Sequence, residues 1–169
     1  GCEDLLQVDL PSTITTDALD NPDIAEVIVN SAITAVECAY SRFIVGNPTG
    51  MEDAMVDHGG GAAIEYHDVV SNSGCGSGNN YSWFNPFQEA RYTAEDLYGR
   101  LDGWTVEELA FGVVEFDSKE QMMGITALYA SVPYQIFGEV MCEVAIERGP
   151  LLAPDSILGI GEAWATKAL

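Results

Sequence analysis

The segment Asn21–Val45, NPDIAEVIVNSAITAVECAYSRFIV, decides the fold class. Asn21 is a residue type that caps helix N-termini, and Pro22 follows at the first helical position, where a missing N–H costs nothing. Asp23 and Glu26 suit the positive end of the helix dipole. Beyond them Ile24, Val27, Ile28, Ala32, Ile33, Ala35, Val36, Ala39, Tyr40 and Phe43 fall on more than one helical face. A helix apolar on several faces is packed on several sides. The segment therefore predicts a core helix with other helices around it.

The same signals recur downstream. Asn85, Pro86 and Gln88 read as a capping box opening a second helix that runs to Gly103. Thr105 and Glu108 repeat that pattern for a short helix. Ser118 with Gln121 opens a third long helix, predicted to reach about Glu147 before Arg148-Gly149-Pro150 ends it. Pro133 lies inside this helix and predicts a kink. A last helix is expected from Pro154-Asp155 to Leu169. Short runs such as Gly112–Phe116 read as strand, and a strand or helical turn is expected near Ala62–Tyr66. The predicted class is all-α, with antiparallel helical hairpins of the tetratricopeptide type. Residues 3–20 read as an extended arm, so the chain divides into an arm over 1–20 and a helical domain over 21–169. Within that domain, residues 46–84 read as a long irregular loop holding Pro48, Gly59-Gly60-Gly61 and Gly74-Cys75-Gly76-Ser77-Gly78. Loops of that length are commonly functional or partly disordered.

Composition narrows the function classes. The chain has 169 residues, the length of one compact domain. Its 27 acidic and 6 basic side chains give a net charge of −21, which argues against nucleic acid and anionic membrane surfaces as partners. A hydrophobic content of 47% is too high for a disordered acidic tail and predicts a packed core. No apolar run is expected to reach bilayer length.

No catalytic constellation is legible, so an enzyme and a cofactor are not expected. The sequence lacks a Gly-x-Ser-x-Gly elbow, a phosphate-binding glycine loop, an HExxH helix and a dinucleotide fingerprint. Ser77 lacks the strand-to-helix setting of a nucleophile. Asp57-His58 and Glu65-Tyr66-His67-Asp68 fix no metal geometry and read as polar loop residues. Asp17, Asp20 and Asp23 lack the glycine and terminal glutamate of an EF-hand, so no metal is expected. Tyr81, Trp83, Phe84 and Phe87 cluster at the entry to the second helix, where they read first as a hydrophobic plug. Arg91, one of few cations, is expected to pair with Glu95 or Glu139 between helices. The cysteines Cys2, Cys38, Cys75 and Cys142 are spaced by 36, 37 and 67 residues, which matches no zinc pattern.

Several stretches read in order carry a resemblance. They are Cys2-Glu3-Asp4-Leu5-Leu6-Gln7-Val8-Asp9-Leu10-Pro11, Ala18-Leu19-Asp20-Asn21-Pro22, Val29-Asn30-Ser31-Ala32-Ile33 and Glu37-Cys38-Ala39-Tyr40. Phe87-Gln88-Glu89-Ala90-Arg91, Leu101-Asp102-Gly103-Trp104, Phe137-Gly138-Glu139-Val140-Met141-Cys142 and Gly149-Pro150 follow. This order resembles the N-terminal part of SusD/RagB-like outer-membrane lipoproteins. Those proteins are lipid-anchored, tetratricopeptide-like, and capture nutrients, often glycans, for a TonB-dependent transporter. The resemblance implies a lipid on Cys2, which follows the small Gly1, and a place in the periplasm or cell envelope of a Gram-negative-type bacterium. With Cys2 lipidated, one disulfide can form among the other three cysteines. Cys75 with Cys142 leads slightly, since it would tether the glycine-rich stretch, and the other two pairings stay open. The resemblance also implies that Tyr81, Trp83 and Phe84 form a sugar-binding platform.

Members of that family are several times longer. The chain therefore reads either as a fragment or as a shortened relative whose last helix is left unpaired, making Ile157, Ile160, Trp164 and Leu169 candidates for a partner interface. The leading functional expectation is a non-catalytic, lipid-anchored scaffold subunit docking on a membrane complex of transport, respiration or photosynthesis. The alternative is a nutrient- or glycan-binding lipoprotein beside a TonB-dependent transporter. The acidic surface also suits a basic carrier such as a c-type cytochrome.

Overall fold

The computed structural model describes residues 16–46, 84–112 and 116–169. The fold is all-α, as the pattern predicts. A one-turn helix α1 (Thr16–Leu19) and a 3-10 turn (Pro22–Ile24) lead into α2 (Ala25–Gly46). Helices α3 (Phe84–Gly103) and α4 (Lys119–Val140) follow, with a second 3-10 turn at Val106–Glu108 between them. A two-stranded hairpin, β1 (Val144–Ala145) and β2 (Leu151–Leu152), connects to α5 (Pro154–Lys167).

Local chemistry sets the helix starts. The Asn21 side chain accepts a hydrogen bond from the Asp23 N–H at 3.0 Å. Thr105 and Glu108 form the expected capping box, with the Thr105 N–H donating to Glu108 Oε2 at 2.7 Å. That bond, followed by the Thr105 hydroxyl, holds the Glu108 carboxyl below its ordinary range. Ser118 Oγ accepts from the Gln121 N–H at 3.1 Å, and Gln121 reaches back to the Asp117 N–H. Each such cap supplies a partner to an N–H that the helix leaves unbonded.

Helix α4 is central: it packs on α2, α3 and α5, and its contact with α5 is the most extensive in the fold. The core has two parts. Ala25, Ile28, Val29 and Ala32 of α2 meet Leu97 and Leu101 of α3 and Met122 of α4. Val36 and Ala39 of α2 meet Phe87 and Ala90 of α3, Tyr134 and Phe137 of α4, and Ile157 of α5. The start of α2 thus lies beside the end of α3 and the start of α4, so consecutive helices run antiparallel. Small residues bring α4 and α5 close. A Cβ on Gly138 would lie 2.5 Å from Leu158 Cγ, one on Gly124 would lie 3.4 Å from the Ala168 carbonyl, and Gly161 approaches Tyr134 and Ser131 from the other side. Gly124, Ser131 and Gly138 are seven residues apart, which is two turns of one helix face.

Several expectations are corrected. The third long helix ends at Val140, not near Glu147, because the chain must reverse to lay α5 back along α4. The hairpin makes that reversal, pairing Val144 with Leu152 and Ala145 with Leu151. Its turn holds Glu147 at φ 56° and closes through the Gly149 N–H on the Ile146 carbonyl at 3.0 Å. Asn85 is not a cap, since the chain is already helical at Phe84. Gln88 instead donates to the Ala145 carbonyl at 3.2 Å, tying α3 to the hairpin. Gly112 and Phe116 are not strand: Gly112 bends at φ 101°, and 113–115 lie outside the described residues. The arm is helical over Thr16–Leu19. One stretch, Pro22–Ser41, is long and apolar enough by composition to cross a membrane, with mean hydropathy 1.2, where none was expected. Here it supplies both core clusters from α2.

Candidate functional site

Two concave surfaces stand out among the described residues. The first lies between α2 and α4. Residues 36, 37, 40 and 41 of α2 are one helical turn apart, so Val36 and Tyr40 form a single stripe, as do Leu128 and Val132 of α4. Between the stripes runs a groove of about 670 Å³, lined also by Glu37, Ser41, Tyr129 and Gln135. Tyr40 is 43% exposed and Leu128 48%, a high value for side chains of this type on packed helices. The Tyr129 hydroxyl donates to Glu37 Oε1 at 3.0 Å across the groove. Burial first, then the Glu37 carboxylate, raises the Tyr129 phenol above its ordinary range. The groove is therefore apolar, with polar groups at its rim.

The second surface is a cavity of about 540 Å³ between the first turns of α3 and the hairpin, lined by Phe84, Gln88, Glu89, Arg91, Tyr92, Ala145 and Glu147. Behind it sits a buried polar network. Arg91 is 3% exposed, and its Nη1 donates to Glu95 Oε2 at 2.6 Å while its Nε donates to Gln88 Oε1 at 3.1 Å. The Tyr134 hydroxyl donates to Glu95 Oε1 at 2.5 Å and receives Arg91 Nη1 at 3.4 Å. Burial alone would lower the Arg91 pKa, but the Glu95 charge, Tyr134 and their hydrogen bonds outweigh it and raise it. The Tyr134 phenol is pushed up chiefly by burial and then by Glu95. Such a network, with its members bonded to one another, fixes α3 on α4.

Four of the five cations whose side chains are described serve structure in the same way, and the fifth, Arg148, is exposed. Arg100 pairs with Asp96 at 2.7 Å and with Asp20, joining α3 to the turn before α2. Lys119 Nζ donates to the Trp104 carbonyl at 2.6 Å and the Asp102 carbonyl at 3.2 Å. Lys167 Nζ lies 3.7 Å from the Trp164 ring centroid and 4.9 Å from that of Tyr98. Arg91, Arg100, Lys119 and Lys167 are thus occupied internally. The carboxylates of the surface have few cations left to neutralise them.

The sequence-predicted site residues are distributed unevenly. Ile157 is fully buried, a correction to its place as an interface candidate: it fills the core between α4 and α5. Ile160 and Trp164 pack partly against the same cluster, and the Trp164 ring meets Tyr98 edge-on at 5.3 Å. The last helix is therefore paired with α4, while Leu169 is exposed. Arg91 pairs with Glu95, one of its two expected partners; Glu139 accepts instead from Gln135 at 2.9 Å. Phe84 lies 5.2 Å from Phe137, and Phe87 lies 6.1 Å from both Phe137 and Phe43, so these two rings form the expected plug. Tyr81 and Trp83 lie outside the described residues, as do Cys2, Cys75, His58 and His67. Cys142 is a free, exposed thiol, so the favoured Cys75–Cys142 bridge is not formed. Cys38 on α2 is disulfide-bonded, and Cys142 is not its partner. Among the described residues, no group of acidic, histidine or cysteine side chains could hold a metal ion.

Sequence reasoning missed the α2–α4 groove. Tyr40 was expected on a core face, and the signal that finds the groove is the pairing of two stripes, Val36/Tyr40 and Leu128/Val132, on helices distant in sequence. Compared with protein-family models, curated proteins and solved structures, the chain matches none.

Proposed function

We propose that the protein is a non-catalytic accessory subunit that docks on a larger protein assembly through the α2–α4 groove. The observation that carries this reading is the exposure of Tyr40 and Leu128 together on the walls of one apolar groove between α2 and α4. Exposed apolar grooves between helices seat amphipathic segments of partners. The occupant is an apolar helical segment with basic flanks, because the chain carries −21 and its described cations are mostly engaged internally. Placement at the cell envelope through a lipid on Cys2, and kinship with SusD/RagB-like lipoproteins, belong to the same proposal and rest on the sequence resemblance.

Isolation of the native protein in mild detergent tests the reading. The expected result is a stoichiometric complex with a membrane-protein partner that Leu128→Glu disrupts while the circular dichroism spectrum stays unchanged. A monomer with no partner, or a complex indifferent to Leu128→Glu, would contradict it. The competing proposal is glycan capture beside a transporter, and Phe84 and Tyr92 at the second cavity favour it as aromatic surfaces. Calorimetry against a glycan panel decides that reading, and uniform absence of heat sinks it.

A further inference from the structure

The cavity between α3 and the hairpin has an unusual balance of hydrogen-bonding groups. Most of its donors are engaged: Arg91 Nε bonds to Gln88, Arg91 Nη1 bonds to Glu95 and Tyr134, and Gln88 Nε2 bonds to the Ala145 carbonyl. What it leaves open are carboxylate acceptors and the ring of Tyr92. Glu89 and Glu147 are exposed and have no ion pair among the described residues. Tyr92 is 59% exposed, and its hydroxyl has no hydrogen bond among the described residues. Phe84 supplies a second ring at the wall. The Glu147 backbone, at φ 56°, sets this carboxylate on the hairpin turn opposite α3.

A cavity with an aromatic lining, two carboxylates without ion pairs at its rim, and a lining cation, Arg91, neutralised by Glu95 disfavours anions. It complements a group that is apolar along its stem, rich in donors at its tip and positively charged. Cations are attracted to aromatic faces, and long basic side chains bury their stems while keeping their heads near carboxylates. We propose that this cavity takes a lysine or arginine side chain of the docked protein partner. The inference rests on the docking reading above and adds a second, charge-selective point of contact to the apolar groove. A neutral sugar in the same cavity is the competing outcome.

Titration of the full chain with N-acetyl-lysinamide, followed by amide chemical shifts, tests the proposal. Saturable shifts confined to residues 84–92 and 145–147 are expected, with none from the uncharged isostere N-acetylnorleucinamide. Tyr92→Ala should weaken binding about two- to five-fold, the size of one exposed cation–ring contact. Glu147→Gln should weaken it further and flatten its dependence on salt. Leu128→Glu, which blocks the groove, should leave lysinamide binding unchanged. Unsaturable shifts scattered over the acidic surface, or glucose or norleucinamide matching lysinamide, would overturn the assignment. A native complex unaffected by the double variant Tyr92→Ala, Glu147→Gln would equally overturn it. Localised lysinamide shifts from a protein that forms no complex would contradict the docking reading alone.

Discussion

Tyr134 shows how one hydroxyl organises the interior. It donates to Glu95 while Glu95 holds Arg91, so three polar groups from α3 and α4 satisfy one another where water is scarce. Removing one partner of a buried pair leaves an uncompensated charge, and Glu95→Ala should therefore destabilise the fold by about 3 kcal/mol in denaturant titrations. The phenol also gives a pH signature. Its folded pKa is raised above the unfolded value of about 10, so its contribution is complete below that pH and is lost as pH rises beyond it. Circular dichroism against pH should show an alkaline loss of stability that Tyr134→Phe makes shallower, at a cost of about 1–2 kcal/mol at neutral pH. An equally steep alkaline limb in the variant would exclude Tyr134 as its source. Thr126 is the opposite case: its hydroxyl is buried without a hydrogen-bond partner among the described residues. Thr126→Val keeps the shape and removes the unsatisfied group, and should raise stability by about 1 kcal/mol.

Among the elements, the α4–α5 pair is the tightest contact and the one least visible in the sequence. Gly138→Ala would drive a Cβ into Leu158, and overpacking of that kind should cost about 1–3 kcal/mol despite the better helix propensity of alanine. Gly159 has open space around its Cα, so Gly159→Ala should stabilise α5 by about 0.5–1 kcal/mol. Thermal melts of the two variants moving in the same direction would contradict the close-packing account. Three helix starts were legible because a cap is a local bond: Asn21, Thr105 and Ser118 could be read from three or four neighbouring residues, whereas the start at Phe84 falls before the Asn85 cap that the pattern offered. The end of α4 was not, because Val140–Ala145 is apolar enough to continue a helix, and only the return of α5 along α4 dictates a hairpin there. The burial of Glu26 was hidden for a similar reason. It reads as a first-turn acid facing the dipole, yet it is 1% exposed and accepts from the Gly112 N–H at 3.2 Å across the fold. The pairing of Arg91 with Glu95 was legible, being four residues apart on one helix, whereas both concave surfaces arise between distant elements.

At the scale of the whole molecule, charge and packing pull in opposite directions. The net charge of −21 repels itself, and most of the described cations, Arg148 apart, are spent on internal contacts. Raising salt from about 0.01 M to about 1 M shrinks the screening length from about 30 Å to about 3 Å, so the melting temperature should rise over that range. A melting temperature that falls or stays flat would show that the surface charges are locally compensated. On the proposed docking reading, the same field would draw in a basic partner whose apolar segment occupies the α2–α4 groove. A photoreactive residue placed at Leu128 of the protein in its native cells tests this proposal most directly. The account predicts a crosslink to one protein partner from Leu128 and none from a control at Gly159 on the open face of α5. No crosslink from Leu128, or equal crosslinking from both positions, would contradict it.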